Sequence, residues 1–339
     1  MSSVAQARVL RDCRPDGLPL DDLLTTGVPT VLAGLVRDWP IVRAGLSSDD
    51  EAMNYLRAFY NGKTVGTSFG GPQIGGRLFY NEDFTALNFN TRRARLDEVL
   101  NEIREHLHDE RPPTQYIPST TVEACLPGFR NENDVAFGAH GIEPLASIWI
   151  GSRTIASCHY DAPNNLACCV VGRRRVTLFP PEQIFNLYPG PLEPTPGGQA
   201  VSVVDFANPD FDRHPRFREA LAAAQVAELA PGDALFIPSM WWHHIEALSP
   251  FNALVNYWWG MAPTFIPTPM NALYHAMWTL RDRPECEKRA WRSVFDYYVF
   301  GKSERAGAHL PEHARGVLGP IDDITARQIR AMLLNNLNR

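Results

Sequence analysis

Three short stretches of the chain carry side chains that could do chemistry together. In Ser157-Cys158-His159-Tyr160-Asp161 an imidazole and a carboxylate sit two residues apart. In an extended segment that spacing sends both to one side, so a nitrogen and an oxygen can meet at one point. Taken alone, a His-x-Asp pair is a frequent accident. The second stretch, 231–248, reads PGDALFIPSMWWHHIEAL: a Pro-Gly-Asp turn, a strand at Ala234–Ile237, and His243 opening the next strand. Strand alternation lets only one of the two adjacent histidines join the first pair. His243, which opens that strand, is a candidate for that place. The third stretch is Arg173-Arg174-Arg175, whose bland reading is a solvated basic turn. If Val176 and Leu178 face the interior, Arg174 does too, while Arg173 and Arg175 face out. A buried arginine without an anion would be costly.

His159, Asp161 and His243 on one face of a metal leave three positions open. That is the arrangement of non-haem iron(II) oxygenases, unlike the closed tetrahedron of structural zinc. One open position would take O₂ and the other two would chelate a 2-oxo acid. Bringing these residues together requires strands distant in sequence to lie side by side. The region of about 140–260 supplies them: LASIWIG, NLACCVVG, RVTLFP, DALFIP and ALVNYWW are short β-branched or aromatic runs bounded by Gly and Pro. With no long helix between its members, such a series argues for a sandwich or small barrel.

Before it, an α/β flank to about residue 130 mixes strands at Thr30–Leu32 and 78–80 with helices around 49–60 and 96–108. In the second helix Leu96, Val99, Ile103 and Leu107 form one buried face. After Pro269 the pattern turns helical: Leu273, Met277 and Leu280, then Trp291, Val294, Phe295 and Tyr298, mark two amphipathic helices, and Asp323–Leu337 closes the chain. The last helix carries a wide apolar face with two compatible uses, docking on its own chain or exchange with a second copy in an isologous homodimer. The expected organisation is a catalytic domain over 1–265 and a helical region over 266–339.

A chain of 339 residues, 45% of them hydrophobic, can bury a large core without covalent staples. The net charge of -6 disfavours phosphate backbones and anionic membranes, so nucleic acid is not expected as a partner. The six cysteines form no CxxC pair, and adjacent Cys168 and Cys169 should point to opposite faces of a strand. They read as reduced thiols of a cytoplasmic protein. The N-terminus lacks the apolar core of a secretory signal, and no apolar run is long enough to span a bilayer, so no membrane association is expected.

From about 116 to 259 the sequence resembles the JmjC-related, cupin-like hydroxylases, which use iron(II) and 2-oxoglutarate. Within them it most resembles the asparaginyl hydroxylases that inhibit hypoxia-inducible factor. The matching phrases are HYD at 159–161, LFPP at 178–181, LYP at 187–189, VDFANPDF at 204–211, the 231–248 stretch and VNYWW at 255–259; VPTVLAGLVRDWP at 28–40 extends the likeness. The resemblance implies a mainly β fold, a double-stranded β-helix or jelly roll with flanking helices. It also implies that His159, Asp161 and His243 are the metal ligands, that His244 faces away as a hydrogen-bonded or core histidine, and that Arg174 anchors the distal carboxylate of 2-oxoglutarate. The most similar members carry lysine there; a guanidinium offers a bidentate clamp where an ammonium is a point charge. Tyr116, Asn165, Asn256 and Trp258 would line the co-substrate pocket, with Tyr116 and Asn256 as hydrogen-bond partners; the bland reading of Tyr116 and Trp258 is aromatic core. A family threonine three residues before the first ligand histidine is Ala156 here, leaving Thr154 or Ser157 to replace its hydroxyl.

The implied reaction inserts oxygen from O₂ into a substrate C–H bond while 2-oxoglutarate becomes succinate and CO₂. The implied substrate is a protein or peptide side chain such as Asn, Asp or His in an extended segment. Demethylation of N-methyl-lysine, hydroxylation of RNA or a small molecule by the same chemistry, and a catalytically silent metal-binding cupin module are the competing readings. A silent module has no reason to bury Arg174 opposite the metal.

Overall fold

Runs of alternating or uniformly apolar residues become eight strands at the centre of the chain: β1 (Leu145–Gly151), β2 (Ile155–Tyr160), β3 (Asn164–Val171), β4 (Arg174–Phe179), β5 (Gln225–Leu229), β6 (Ala234–Ile237), β7 (Trp242–Ala247) and β8 (Asn252–Trp259). This computed structural model describes residues 4–338. The strands pair antiparallel in two sets, β5-β4-β7-β2 and β6-β3-β8-β1, which is the jelly-roll arrangement. The flank extends both sets. Arg77–Leu78 and Ala5–Gln6 border the first sheet, pairing in parallel with β2 and β5. The second continues through Thr114–Thr121, Thr64–Gly70 and Asn90–Arg95 beyond β1, and through Thr30–Leu32 and Arg8–Leu10 beyond β6.

Why these residues choose this layering is clearest on β3, where every residue is buried. Leu166, Cys168 and Val170 pack outward with Ile41, Val42, Met53, Leu56 and Val99 of the flanking helices. Cys169 points the other way, among Val176, Leu178, Leu229 and Ile237 between the sheets. The adjacent cysteines thus do occupy opposite faces, but both faces are dry. A third cluster, with Phe179, Leu187, Val204, Phe217 and Trp242, fills the outer side of the first sheet. At about 1.5–3 kcal/mol for each large side chain fully removed from water, such layers hold the strands that carry the chemistry.

Local signals set the flank. Helix Asp49–Phe59 starts where the Ser48 hydroxyl accepts the Glu51 N–H, with Asp49, Asp50 and Glu51 at its positive end. The helix at Leu96–Glu105 ends three residues before the expected 108, and its buried stripe is Leu96, Val99, Leu100 and Ile103. The strand expected at 78–80 is instead Arg77–Leu78. Phe79 N–H donates to Asn88 Oδ1 and its carbonyl accepts Asn88 N–H, which turns the chain out of the sheet.

By internal contacts the chain divides into two compact units, Met1–Gly260 and Met261–Arg339. The second contains α1 (Pro269–Leu280), α2 (Glu285–Tyr298) and α3 (Asp323–Leu337). None of these helices has a buried residue. Trp278 is 74% exposed and Phe300 76%, and on α3 Ile324, Met332, Leu333, Leu334 and Leu337 all face solvent. Among the described residues no helix is long and apolar enough to cross a membrane.

Candidate metal centre and adjoining pocket

β2 and β7 are neighbours in register, with His159 directly opposite His243. Two residues on, the register slips, so that Ser157 and Cys158 of β2 together oppose His244 alone. This β-bulge reverses the alternation within β2. Ala156 and Thr154 therefore face the pocket along with His159 and Asp161, while Ser157 donates its hydroxyl to the Leu78 carbonyl and Cys158 joins the outer cluster. Ser157 is thus not a replacement for the missing threonine hydroxyl, whereas Thr154 lies on the pocket wall.

The ligating atoms of His159, Asp161 and His243 all lie within 4.8 Å of one another. The two imidazole centroids are 4.4 Å apart, and His243 Nε2 is 3.6 Å from Asp161 Oδ2. His159 Nδ1 lies 2.8 Å from the Ser157 carbonyl and His243 Nδ1 3.0 Å from the Trp241 carbonyl. A carbonyl only accepts, so both Nδ1 atoms carry a proton, which leaves Nε2 as the candidate ligand atom of each ring. Burial, then the neighbouring His159, pushes the pKa of His243 down to about 4, so that it is neutral near pH 7. Two imidazoles beside a carboxylate are a donor set that suits a divalent ion. His244 faces away as expected, but it stacks on Phe206 with centroids 4.4 Å apart, and its Nδ1 is buried with no hydrogen-bond partner among the described residues. Burial, followed by Arg77 nearby, lowers its pKa to about 3.

Tyr116, Asn165, Arg174, Asn256 and Trp258 line the same pocket as the three clustered residues. Arg174, between Leu229 and Ala247 in register, is 5% exposed. Its flanking residues turn outward to Glu228. The Arg174 guanidinium has only a 3.5 Å contact to the Ala253 carbonyl, and among the described residues no carboxylate pairs with it. Burial lowers its pKa accordingly. Asn256 is held by its neighbours: its Oδ1 accepts Trp149 Nε1–H at 2.9 Å and its Nδ2 donates to Asn165 Oδ1 at 3.3 Å. Trp258 Nε1–H is buried without an acceptor among the described residues. Burial raises the pKa of Tyr116, which keeps its hydroxyl a donor.

Trp149, Thr154 and Leu254 also line this pocket. Leu254 shares strand parity with Asn256 and Trp258, which is the signal that would have found it. Trp149 has none in its own strand; it is cross-strand from Leu254. The pocket thus has a three-atom donor cluster and, on its walls, a buried cation without a carboxylate and an indole N–H without an acceptor among the described residues. A divalent ion with a bidentate 2-oxo acid carrying a second carboxylate fits this inventory of groups.

Residues 17–265 match the profile of the cupin-like domain. Among curated proteins, HSPB1-associated protein 1 of Homo sapiens is 39% identical over 123 residues, 36% of this chain and 24% of that protein. Jumonji C domain-containing protein 5 of Drosophila melanogaster is 26% identical over 239 residues, 69% of this chain and 55% of that one. Lysine-specific demethylase JMJ31 of Arabidopsis thaliana is 38% identical over 120 residues, 34% of this chain and 21% of that one. The matches thus span between about a fifth and about half of these relatives' lengths.

Proposed function

This chain belongs to the cupin-like domain family, and from that premise we propose that it is an iron(II)- and 2-oxoglutarate-dependent oxygenase that hydroxylates a protein or peptide side chain. One observation carries the reading: a His-Asp-His cluster shares a pocket with a buried arginine that has no carboxylate partner among the described residues. His159, Asp161 and His243 would hold the metal, with two imidazole tautomers already fixed by backbone carbonyls. Bound there, iron(II) supplies the chemistry that couples oxidative decarboxylation of 2-oxoglutarate by O₂, to succinate and CO₂, with hydroxylation of a C–H bond. Arg174 would clamp the distal carboxylate. Its charge, costly to bury alone, would be answered by a charge-assisted bidentate contact. Tyr116 and Trp258 offer further donors, and with Trp149 they would shield the reacting centre from water. Neither histidine needs to move a proton.

The likeness to asparaginyl hydroxylases supports an Asn, Asp or His side chain as the acceptor of oxygen. Demethylation of a methylated lysine is the second reading, kept by the relative named a lysine-specific demethylase. A peptide library scanned by mass spectrometry separates the two: gain of one oxygen supports hydroxylation, and loss of methyl with release of formaldehyde supports demethylation. For the activity itself, full-length protein with iron(II), 2-oxoglutarate and ascorbate is expected to release succinate above a His159→Ala control. Equal release from both would overturn the oxygenase reading.

The exposed apolar faces of α1, α2 and α3 support a homodimer through the C-terminal helices. Six free thiols support a reducing compartment such as the cytoplasm.

A further inference from the structure

The segment 161–164, which leaves β2 with a candidate metal ligand and enters β3, is gripped from one side by a single turn at 238–241. Ser239 N–H donates to Asn164 Oδ1 at 3.0 Å, the Ser239 hydroxyl donates to the Ala162 carbonyl at 2.5 Å, and Met240 N–H donates to the Asp161 carbonyl at 2.8 Å. The same turn supplies the Trp241 carbonyl that fixes the His243 tautomer. It closes on itself through Trp241 N–H to the Pro238 carbonyl at 3.2 Å. Met240 sits at φ 67°, in the left-handed region that a residue with a long side chain rarely adopts. Its side chain is 40% exposed, so the strained conformation is held by the backbone bonds on either side.

We infer that the 238–241 turn is a positioning element for the metal centre, with Ser239 and Asn164 its positioning residues. It would fix the backbone of Asp161 and the ring of His243 together, so that two ligands from different strands keep one mutual geometry before any ion binds. This rests on the metal-site reading above and deepens it. A turn that merely connected β6 to β7 would need its own closing bond and no others. Three further bonds to the ligand-bearing segment, two of them through side chains, are what a positioning role requires.

The test uses full-length protein, cobalt(II) as the probe, and two readouts besides activity: cobalt affinity with its visible absorption, and the melting temperature of the metal-free protein. Ser239→Ala is expected to weaken cobalt binding about tenfold or more and to change the absorption, with a melting temperature close to wild type. Ser239→Thr, which restores the hydroxyl, should recover both affinity and spectrum. Asn164→Ala removes the other side-chain bond and should act in the same direction. Wild-type affinity and spectrum in both alanine variants would overturn the inference, as would failure of both to fold or a parallel fall of affinity and melting temperature that threonine does not rescue. Should wild-type protein itself take up no cobalt, the metal-site reading fails and this inference with it; uptake by wild type with unchanged variants sinks the inference alone.

Discussion

The two units of the chain leave opposite kinds of surface unanswered. In the unit of residues 1–260 most large apolar side chains are enclosed in three clusters, with Leu46 and Phe185 among the exceptions, and what lacks a matching partner among the described residues of the pocket is polar: the Arg174 guanidinium without a carboxylate and the Trp258 indole N–H, beside three candidate donor atoms that cluster at one point. In residues 261–339 several charges pair locally, as with Arg283 and Glu287, Lys288 and Glu285, and Arg327 and Asp323. What lacks a partner there is apolar, Trp278 and the leucines of α3 among it. Buried polar groups without partners ask for a small charged ligand, and exposed apolar faces ask for protein. The first unit is therefore read as the site of chemistry and the second as the site of association.

That contrast breaks most visibly at the metal. Asp161→Ala should abolish iron binding and lower turnover by at least about a thousandfold, while the melting temperature of the metal-free protein stays close to wild type, because the core lies elsewhere. Loss of cooperative unfolding in that variant would show that the cluster is structural. Next comes Arg174→Ala, expected to raise the 2-oxoglutarate requirement about a hundredfold from loss of a charge-assisted pair, with iron affinity unchanged. A calorimetric titration in which iron and 2-oxoglutarate weaken equally would remove Arg174 from the anchor role.

For the second unit, Leu333→Asp with Leu337→Asp should convert a dimer to a monomer in sedimentation while leaving iron affinity intact. A single species of unchanged size would refute the association reading. The smallest effect is on pH. The metal-free protein holds His243 at about 4 and His244 at about 3, both below the ordinary value of 6.5. The unfolded chain therefore takes up these protons first as pH falls. Stability is fully present above about pH 6.5 and declines from there toward pH 3, by on the order of a few kcal/mol. Denaturant midpoints that stay flat over that window would contradict the buried, neutral assignment.

Much of the first unit was legible because strand alternation is a strict rule where both faces of a sheet are dry. Val176, Leu178 and Arg174 share the interior, Arg173 and Arg175 face out, and His243 and His244 part company as parity demands. Parity failed at one place. Counting back from His159 puts Ser157 on the pocket side and Ala156 on the other, but the bulge opposite His244 inserts one residue and inverts the count. Nothing in Ser157-Cys158 announces that irregularity, so Thr154 could be named only as one of two candidates. Trp149 stayed hidden for a related reason: its place on the pocket wall depends on cross-strand neighbours in β8, which a single strand's pattern does not contain. The short edge strand at Arg77–Leu78 was overrun because Asn88, nine residues on and outside the strand's own pattern, takes both backbone groups of Phe79.

The account stands on three side chains binding a metal from one side and leaving room for a 2-oxo acid on the other. Anaerobic addition of iron(II) and then 2-oxoglutarate to full-length protein tests this directly, since a 2-oxo acid chelated to iron(II) absorbs visible light. A one-to-one absorption band that needs both additions and disappears in Asp161→Ala is the predicted result. Tight iron binding with no band at saturating 2-oxoglutarate would mean that the remaining positions are closed, and would contradict it.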